Sequence, residues 1–600
     1  MLLGKYLIKF YKKYWWLFLT GILILIGVDF LNTIIPEQLG NLVGLFQENE
    51  VVADIKVESV IRIIMYLLGA SFLIMLGRMG FRLTIFRASH KIEAELRYDM
   101  FLKAERLSQT YYHSTKVGTI MAWFTTDLET IEEFLGWGTV MLVDAFFMSI
   151  FVIVKMFVLN WALSLVAVIP IALIVVWGAL VEKFMSMKWL ERQSANDEIY
   201  DFSQEIFTGI RVIKAFVKET KELHAFSKIA RKNQKINVNF ARISVLFDVL
   251  IAIIINVSLC LIIGCGGYLV YSCISGTPFN LFGQTINLHA NELVTFIGYF
   301  DTLIWPVIAL GQIITMRSRS KASLERISNF LDQNEDIVHI NNPIKIDNPK
   351  GKITFNNFSF AYPTNTADSL KNITLEINAG ESIGVVGKIG SGKSTLMNSL
   401  LHLYNIEENK ILIDDVDLMK IDVSDLRDLI AFVPQDNFLF SDKIRNNISF
   451  GSNNVSQEEI ENAAKFSSVD ENINNFPNKY DEICGEQGVT LSGGQKQRIS
   501  ISRAFIKNAP IMILDDSVSA VDTKTEETII KNIHEQRKGK TTILISSRVS
   551  TVTKMDRIIV LNNGEVEAFG THEELLKNSP TYARMVTLQK LEEEVEGGSH

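Results

Sequence analysis

Residues 383–395 read Ile-Gly-Val-Val-Gly-Lys-Ile-Gly-Ser-Gly-Lys-Ser-Thr, a short buried strand running straight into a glycine-rich turn and then a helical pattern. This is the phosphate-loop pattern G-x-x-x-x-G-K-[ST], from Gly387 through Lys388, Ile389, Gly390, Ser391, Gly392 and Lys393 to Ser394 and Thr395, in its required strand–loop–helix context. Glycines let the backbone N–H groups turn toward phosphate at the positive end of the following helix. Lys393 is placed to meet the β- and γ-phosphates, and Ser394 to hold Mg²⁺. Further on, Ile511-Met512-Ile513-Leu514-Asp515 is a strand ending in the carboxylate that completes such a site, with Asp515 as the second metal-holding residue. The reading is an α/β nucleotide-binding domain.

Working toward the N-terminus, the character of the chain changes near residue 320. The 600 residues are too many for one compact core. Before residue 320 six apolar stretches, near 15–37, 59–80, 137–159, 161–181, 245–270 and 291–316, approach the roughly 20 residues needed to cross about 30 Å of hydrocarbon. The fold expected is an all-α membrane domain of six spans fused to an α/β phosphate-loop domain. The boundaries expected are 1–320 for the membrane domain, 321–350 for a linker, 351–590 for the nucleotide-binding domain and 591–600 for a tail. Its last residues, Gly597-Gly598-Ser599-His600, read as a cloning remnant.

Orientation follows from charge. The segment Lys5 to Tyr14 is basic and amphipathic, as suits an elbow helix on an anionic inner membrane surface, and Trp15 and Trp16 mark the interface. The first outer loop carries Glu48, Glu50, Asp54 and Glu58 against Lys56 alone, and 271–290 has no Lys or Arg. An even number of spans and the positive-inside rule place both termini in the cytoplasm of a multi-pass plasma-membrane protein. The long gaps between the second and third and between the fourth and fifth spans also face the cytoplasm. Helices running beyond the bilayer are expected there, turning near Tyr112–Gly118 and Phe207–Phe216.

Net charge of −8 and the lack of a long basic block exclude nucleic acid as a partner. Cys260, Cys265, Cys273 and Cys484 have no metal-ligand spacing and read as ordinary packing residues. Asp29, Asp144, Asp248 and Asp301 fall inside apolar runs, with Glu292 at an outer edge. Each is costly in hydrocarbon unless it faces a cavity or a partner. Asp29 and Asp301, with Tyr299 and Trp305 nearby, are the first candidates for a substrate path that accepts flat apolar cations.

Between the two nucleotide motifs lies Leu491-Ser492-Gly493-Gly494-Gln495, opening a helix. It is a second anion site in a chain that already has one, which points to an ATP held by another subunit. These residues closely resemble the signature of the ATP-binding cassette superfamily, and the six-span block resembles its type IV exporters from about Lys5 to Leu588. The resemblance implies that Tyr362 stacks on adenine and that Gln435 touches Mg²⁺ and the attacking water. It also implies that Glu486 lies in the loop coupling the two domains, and that Asp522 lies in the D-loop crossing a dimer. The implied cofactors are ATP and Mg²⁺, the latter held by Ser394, Gln435 and Asp515. The implied partners are a homologous half-transporter, membrane lipid and a small amphipathic substrate.

Two positions depart from the family. Asp516 stands where the family has Glu, the general base, and is one methylene short of the reach of about 3 Å that base catalysis needs. Ser547 stands where the family has His, and serine can neither carry a positive charge toward the γ-phosphate nor hold the same geometry. The expectation is a slowly hydrolysing, degenerate site in a subunit that lends an intact signature to a competent partner, as in heterodimeric bacterial multidrug exporters. A lipid, peptide or lipopeptide exporter, or a nucleotide-gated regulator or channel, is the alternative.

Overall fold

The computed structural model describes residues 4–48, 57–276, 279–281, 284–337, 340, 342–363 and 367–597. Glu50, Asp54 and Lys56 of the first outer loop, and Gly598 to His600, lie outside the described residues. The chain divides into two compact units, Met1–Ala104 with Val117–Gln333, and Glu105–Lys116 with Asn334–His600.

The first unit is almost wholly helical. Lys5–Phe46, Val57–Arg106, Val117–Leu159, Glu219–Ile274 and Ala290–Leu331 are each long and apolar enough to cross a membrane. A sixth helix, Trp161–Thr208, carries a shorter apolar stretch, Trp161–Pro170. Asn160 starts it, its side chain accepting from Leu163 N at 3.0 Å, the preferred chemistry for a helix N-terminus. At 56 residues, Glu219–Ile274 is about 84 Å long, far beyond one bilayer thickness. The long gaps between the second and third and between the fourth and fifth spans are therefore helical, and the second of them turns through Gly209 and the short helix Ile210–Ala215.

Helices approach closely where glycine permits. A Cβ on Gly77 would lie 2.3 Å from Val28, and one on Gly40 would lie 1.8 Å from Thr295. Without a hydrophobic drive between helices in lipid, such close packing holds the bundle together. The core gathers Val152, Met156, Leu163, Ile262, Phe296, Tyr299 and Phe300. Other large apolar side chains, Leu68, Met79 and Val158 among them, are exposed on the isolated chain, which suits lipid or a second subunit and not water. Between the fifth and sixth of these helices in chain order, β1 (Phe279–Leu281) pairs with β2 (Gln284–Ile286).

Two expectations are corrected here. The basic N-terminal segment is no separate elbow: Lys5–Asn32 is one continuous helix. No Pro breaks it, and Lys5, Lys9 and Lys13, spaced at i, i+4, find Asp332, Asp99 and Glu95 of the same unit as partners. Their charge is spent on this chain's own acids. The last membrane helix also runs on to Leu331, past residue 320, because Arg326 anchors its end on the buried Asp127 at 2.7 Å, with Ser323 donating to the same carboxylate at 2.9 Å.

The second unit holds two sheets. The larger runs β12 (Glu565–Gly570), β11 (Arg557–Asn562), β5 (Ser382–Gly387), β10 (Thr541–Ile545), β9 (Ile511–Asp515), β8 (Ile430–Val433), parallel except at the β12 edge. Its central strands β9 and β10 are buried along their whole length, as continuous Ile/Leu/Val runs require in a sheet covered on both faces. The smaller is antiparallel, in the order β4 (Leu370–Ile377), β3 (Ile353–Phe360), β6 (Ile411–Ile413), β7 (Val416–Asp417). Both sheets contribute to one core, in which Ile353, Phe355, Leu375, Ile383, Leu396 and Ile543 meet.

Candidate functional site

Strand β5 delivers Gly387 to the carboxyl edge of the large sheet, and the helix Lys393–Leu400 leaves from the same point. The turn between them needs left-handed backbone, with φ of +80° at Gly390 and +98° at Gly392, which glycine adopts without steric cost. Gly387 is glycine for a second reason: a Cβ there would lie 2.3 Å from Leu561 O. Lys393 folds back over the turn, its Nζ donating to Gly387 O at 3.0 Å and Lys388 O at 3.1 Å. The loop is thereby held open, with Ile389 fully exposed at its tip.

Two strands away, β9 ends at Asp515, which is buried close to the Ser394 hydroxyl. Burial pushes the Asp515 carboxyl above its ordinary value, with Ser394 and Lys393 opposing. Burial likewise pulls the Lys393 ammonium down, with Asp515 and Asp516 opposing. A hydroxyl and a carboxylate brought together beside a partly desolvated lysine are the donor set for Mg²⁺ on a polyphosphate. The buried Ser391 hydroxyl and Asp516 Oδ1, neither with a hydrogen-bond partner among the described residues, leave polar capacity for the same ligand. Mg²⁺ held there would neutralise charge on the outer phosphates.

A cavity of about 710 Å³ opens above these groups, lined by Tyr362, residues 389–395, Gln435, Asp515, Asp516 and Ser547. Nearly all the sequence-predicted nucleotide residues thus share one wall. Tyr362 donates to or accepts from Thr395 Oγ1 at 3.0 Å and packs edge-on against Tyr404 at 5.2 Å. His113, from the segment grouped with this unit, stacks on Tyr404 at 6.3 Å.

Asp516 adopts φ +44°, unusual for a residue with a side chain. Its N–H donates to Ile545 O at 3.0 Å, and its carbonyl accepts from the Ser519 hydroxyl at 2.9 Å. The backbone is pinned from both sides, so a shorter side chain cannot be compensated by a shift of the main chain. Ser547 is exposed, and the next residue, Arg548, turns away to pair with the buried Glu526 at 3.1 Å.

The signature residues do not line this cavity. Ser492 caps the helix Gly493–Ile506 in a reciprocal box with Gln495, Leu491 is buried, and a Cβ on Gly493 would meet nothing nearer than 3.9 Å. Gly494 is different, since a Cβ there would press to 2.9 Å from Ala520 O. Asp522 caps the helix Thr523–Gln536, accepting from Thr525 N at 3.0 Å, which holds its carboxyl below the ordinary value. Glu486 is exposed at the start of a short 3₁₀ turn.

The sequence reading missed Asp368, Ser369, Asn563 and Gly564, which also line the cavity. Asn563-Gly564 is a hairpin signal between β11 and β12, so the turn was legible although its place at the site was not. Gly564 N donates to Ser391 O at 3.2 Å, bracing the phosphate loop from outside.

Comparison with known proteins decides the family. Residues 18–307 match the ABC transporter transmembrane region, and residues 370–519 match the ABC transporter family. The probable multidrug resistance ABC transporter ATP-binding/permease protein YheI of Bacillus subtilis is 33% identical over 98% of each chain. The chain belongs to the ABC transporter family. Among other ABC relatives, the multidrug resistance-like ATP-binding protein MdlA of Escherichia coli is 32% identical over 97% of this chain and 96% of its own. An ATP-dependent lipid A-core flippase of Desulfotalea psychrophila is 32% identical over 84% of each. A bacterial Atm1-family ABC exporter with ATP bound shares the fold, with a TM-score of 0.77 at 24% identity over 96% of this chain and 99% of that one. The fused helical membrane domain and α/β nucleotide-binding domain are therefore those of an ATP-driven, multi-pass membrane exporter.

In the membrane unit the acid candidates separate. Asp29 is buried and lies against Asp144, which accepts from the Trp305 indole at 3.2 Å. Tyr299 is buried in the helical core, and Asp301 and Asp248 are exposed. Glu292 caps its own helix, accepting from His289 N at 2.8 Å.

Proposed function

We propose that this chain is one half of a heterodimeric exporter of amphipathic, chiefly cationic, drugs or dyes, working by alternating access from a plasma-membrane position with both termini in the cytoplasm. The observation that carries this reading is the split between two ends of one unit. The cavity that would hold this chain's ATP carries Asp516 and Ser547 at its hydrolytic edge, while Gly493 offers an open helix N-terminus outside that cavity. A second subunit's ATP fits against Leu491 to Gln495, with Asp522 crossing beside it, and the partner supplies the Glu and His lacking here. Glu486 contributes to coupling, and Gln435 with Ser394 and Asp515 holds Mg²⁺ on this chain's own, slowly turned-over nucleotide.

Full-length relatives named for multidrug resistance support the substrate class, and the flippase relative favours lipid as the second reading. Steady-state ATPase activity of the chain alone and co-purified with its partner, in lipid and with cationic dyes, tests the proposal. Activity confined to the pair and modulated by dyes is expected. Equal activity of the chain alone would establish Asp516 as sufficient and the pairing as homodimeric.

A further inference from the structure

Asp29 lies on the first membrane helix and Asp144 at the start of a π-helical turn, Asp144–Met148, on the third. Such wide turns concentrate at functional sites. Asp29 is only 2% exposed. One oxygen of each residue, Asp29 Oδ2 and Asp144 Oδ1, is shut off from solvent and receives no N–H or hydroxyl donor among the described residues. The contact available to them is carboxyl to carboxyl. Two carboxylates cannot hydrogen-bond without a proton between them, and two adjacent buried charges in hydrocarbon repel strongly, so the pair holds one proton.

The surroundings identify what competes for that proton. Phe30 follows Asp29 directly, is 50% exposed, and meets Phe151 edge-on at 5.9 Å; Trp305, 44% exposed, is tied to Asp144. Half-open aromatic rings flanking an anionic centre recognise flat organic cations by cation–π attraction and charge. The charged groups on the helices packed here include Arg78, whose field reaches Asp144, Arg82, which lines one cavity with Arg78 and Asn32, and Glu37, already paired with Lys155 at 2.9 Å. Asp301, a turn before Trp305, is exposed.

We propose that Asp29 and Asp144 form a single-proton site that exchanges its proton for the cationic group of a flat organic substrate. This rests on the reading of the chain as an exporter of amphipathic cations and names the site for them. On exchange the proton leaves to solvent as the cation enters. The site then holds two carboxylates and one bound cation, so the exchange leaves its net charge, one negative, unchanged and adds no charge to the membrane. Neutral amphipaths bind elsewhere in the path without releasing a proton.

The test uses the full chain with its partner in lipid nanodiscs, with ethidium as the cationic probe and N-phenyl-1-naphthylamine as the neutral one. Ethidium affinity should rise by about tenfold per pH unit through the titration of the pair and then level off, while the neutral probe stays flat. D29N and D144N should each remove the pH dependence for ethidium. In infrared difference spectra, the band of a protonated carboxyl should appear in the parent protein, vanish in either variant, and vanish on adding ethidium. D29E, which keeps the acid, should retain the band and guards against mistaking misfolding for loss of the site. Ethidium binding that is independent of pH, or a band that survives in both Asn variants, overturns the inference while leaving the exporter reading intact. Failure of both probes to bind, with the band present and lost in the variants, sinks the amphipath-export reading and leaves the shared proton standing.

Discussion

Asp515 and Asp516 sit side by side at the end of one strand, whereas Asp29 and Asp144 come from different membrane helices. Both pairs place carboxyl groups out of water, and their surroundings treat the charge differently. Asp515 is met by a lysine ammonium and a serine hydroxyl beside an open cavity, so a divalent cation can complete it. Asp29 is met by another acid, so a proton must. The first arrangement stores an unfavourable charge for a ligand that always arrives with its own counter-charge. The second keeps one of its two charges masked by a proton until a suitable cation comes.

The largest effect that would break this contrast is at Asp515. Asp515→Asn should weaken Mg²⁺-dependent ATP binding at this site by at least on the order of a hundredfold, read with a fluorescent ATP analogue with and without Mg²⁺. It should also raise the nucleotide-free melting temperature, by about 2–4 °C for each kcal/mol recovered. The sign follows from burial, which raises this carboxyl in the folded state. Stability is then lost as pH rises through that raised value, so the advantage of the Asn variant widens with pH and closes in acid. A variant that melts lower at neutral pH would mean that Asp515 is not a stored charge.

Next in size, Asp516→Glu combined with Ser547→His should raise turnover at this site by on the order of ten- to a hundredfold. Vanadate trapping at this site, distinguished from the partner's by labelling, measures it, and unchanged trapping would locate the defect elsewhere. Gly493→Arg should fill the open helix end and reduce the pair's ATPase activity several-fold or more while leaving ATP binding in this chain's own cavity unchanged. Loss of binding in that cavity would contradict the separation of the two ends. The smallest effect is expected from His113→Ala, which removes one ring contact with Tyr404 worth about 0.5–1.5 kcal/mol. A double-mutant cycle with Tyr404→Leu, read as ATP affinity, should show coupling of no more than that size.

The same contrast explains what could be read in advance. Gly387 to Thr395 and Asp515 are visible because a phosphate cradle is made of consecutive backbone groups, so its chemistry is written as spacing along the chain. Asp29 and Asp144 stood out singly as acids in apolar runs, but their meeting depends on which faces of two helices pack, and an even apolar coat leaves that face unmarked. Tyr299 carries a related lesson: an aromatic on a membrane helix looks alike in sequence whether it faces a cavity or packs, as here, among the helices. The elbow failed because the lysines' partners, Asp99 and Asp332 among them, lie far along the sequence.

The row of rings Tyr362, Tyr404 and His113 carries a thermodynamic obligation. Segment 105–116 is continuous with membrane helices on both sides, and its histidine rests on Tyr404, which packs against Tyr362 of the nucleotide cavity. If a base settling on Tyr362 favours one position of that segment, then whatever holds the segment in that position must tighten ATP by the same factor. A transported molecule that moves the flanking helices would then be felt as a change in nucleotide affinity before any phosphate bond is broken.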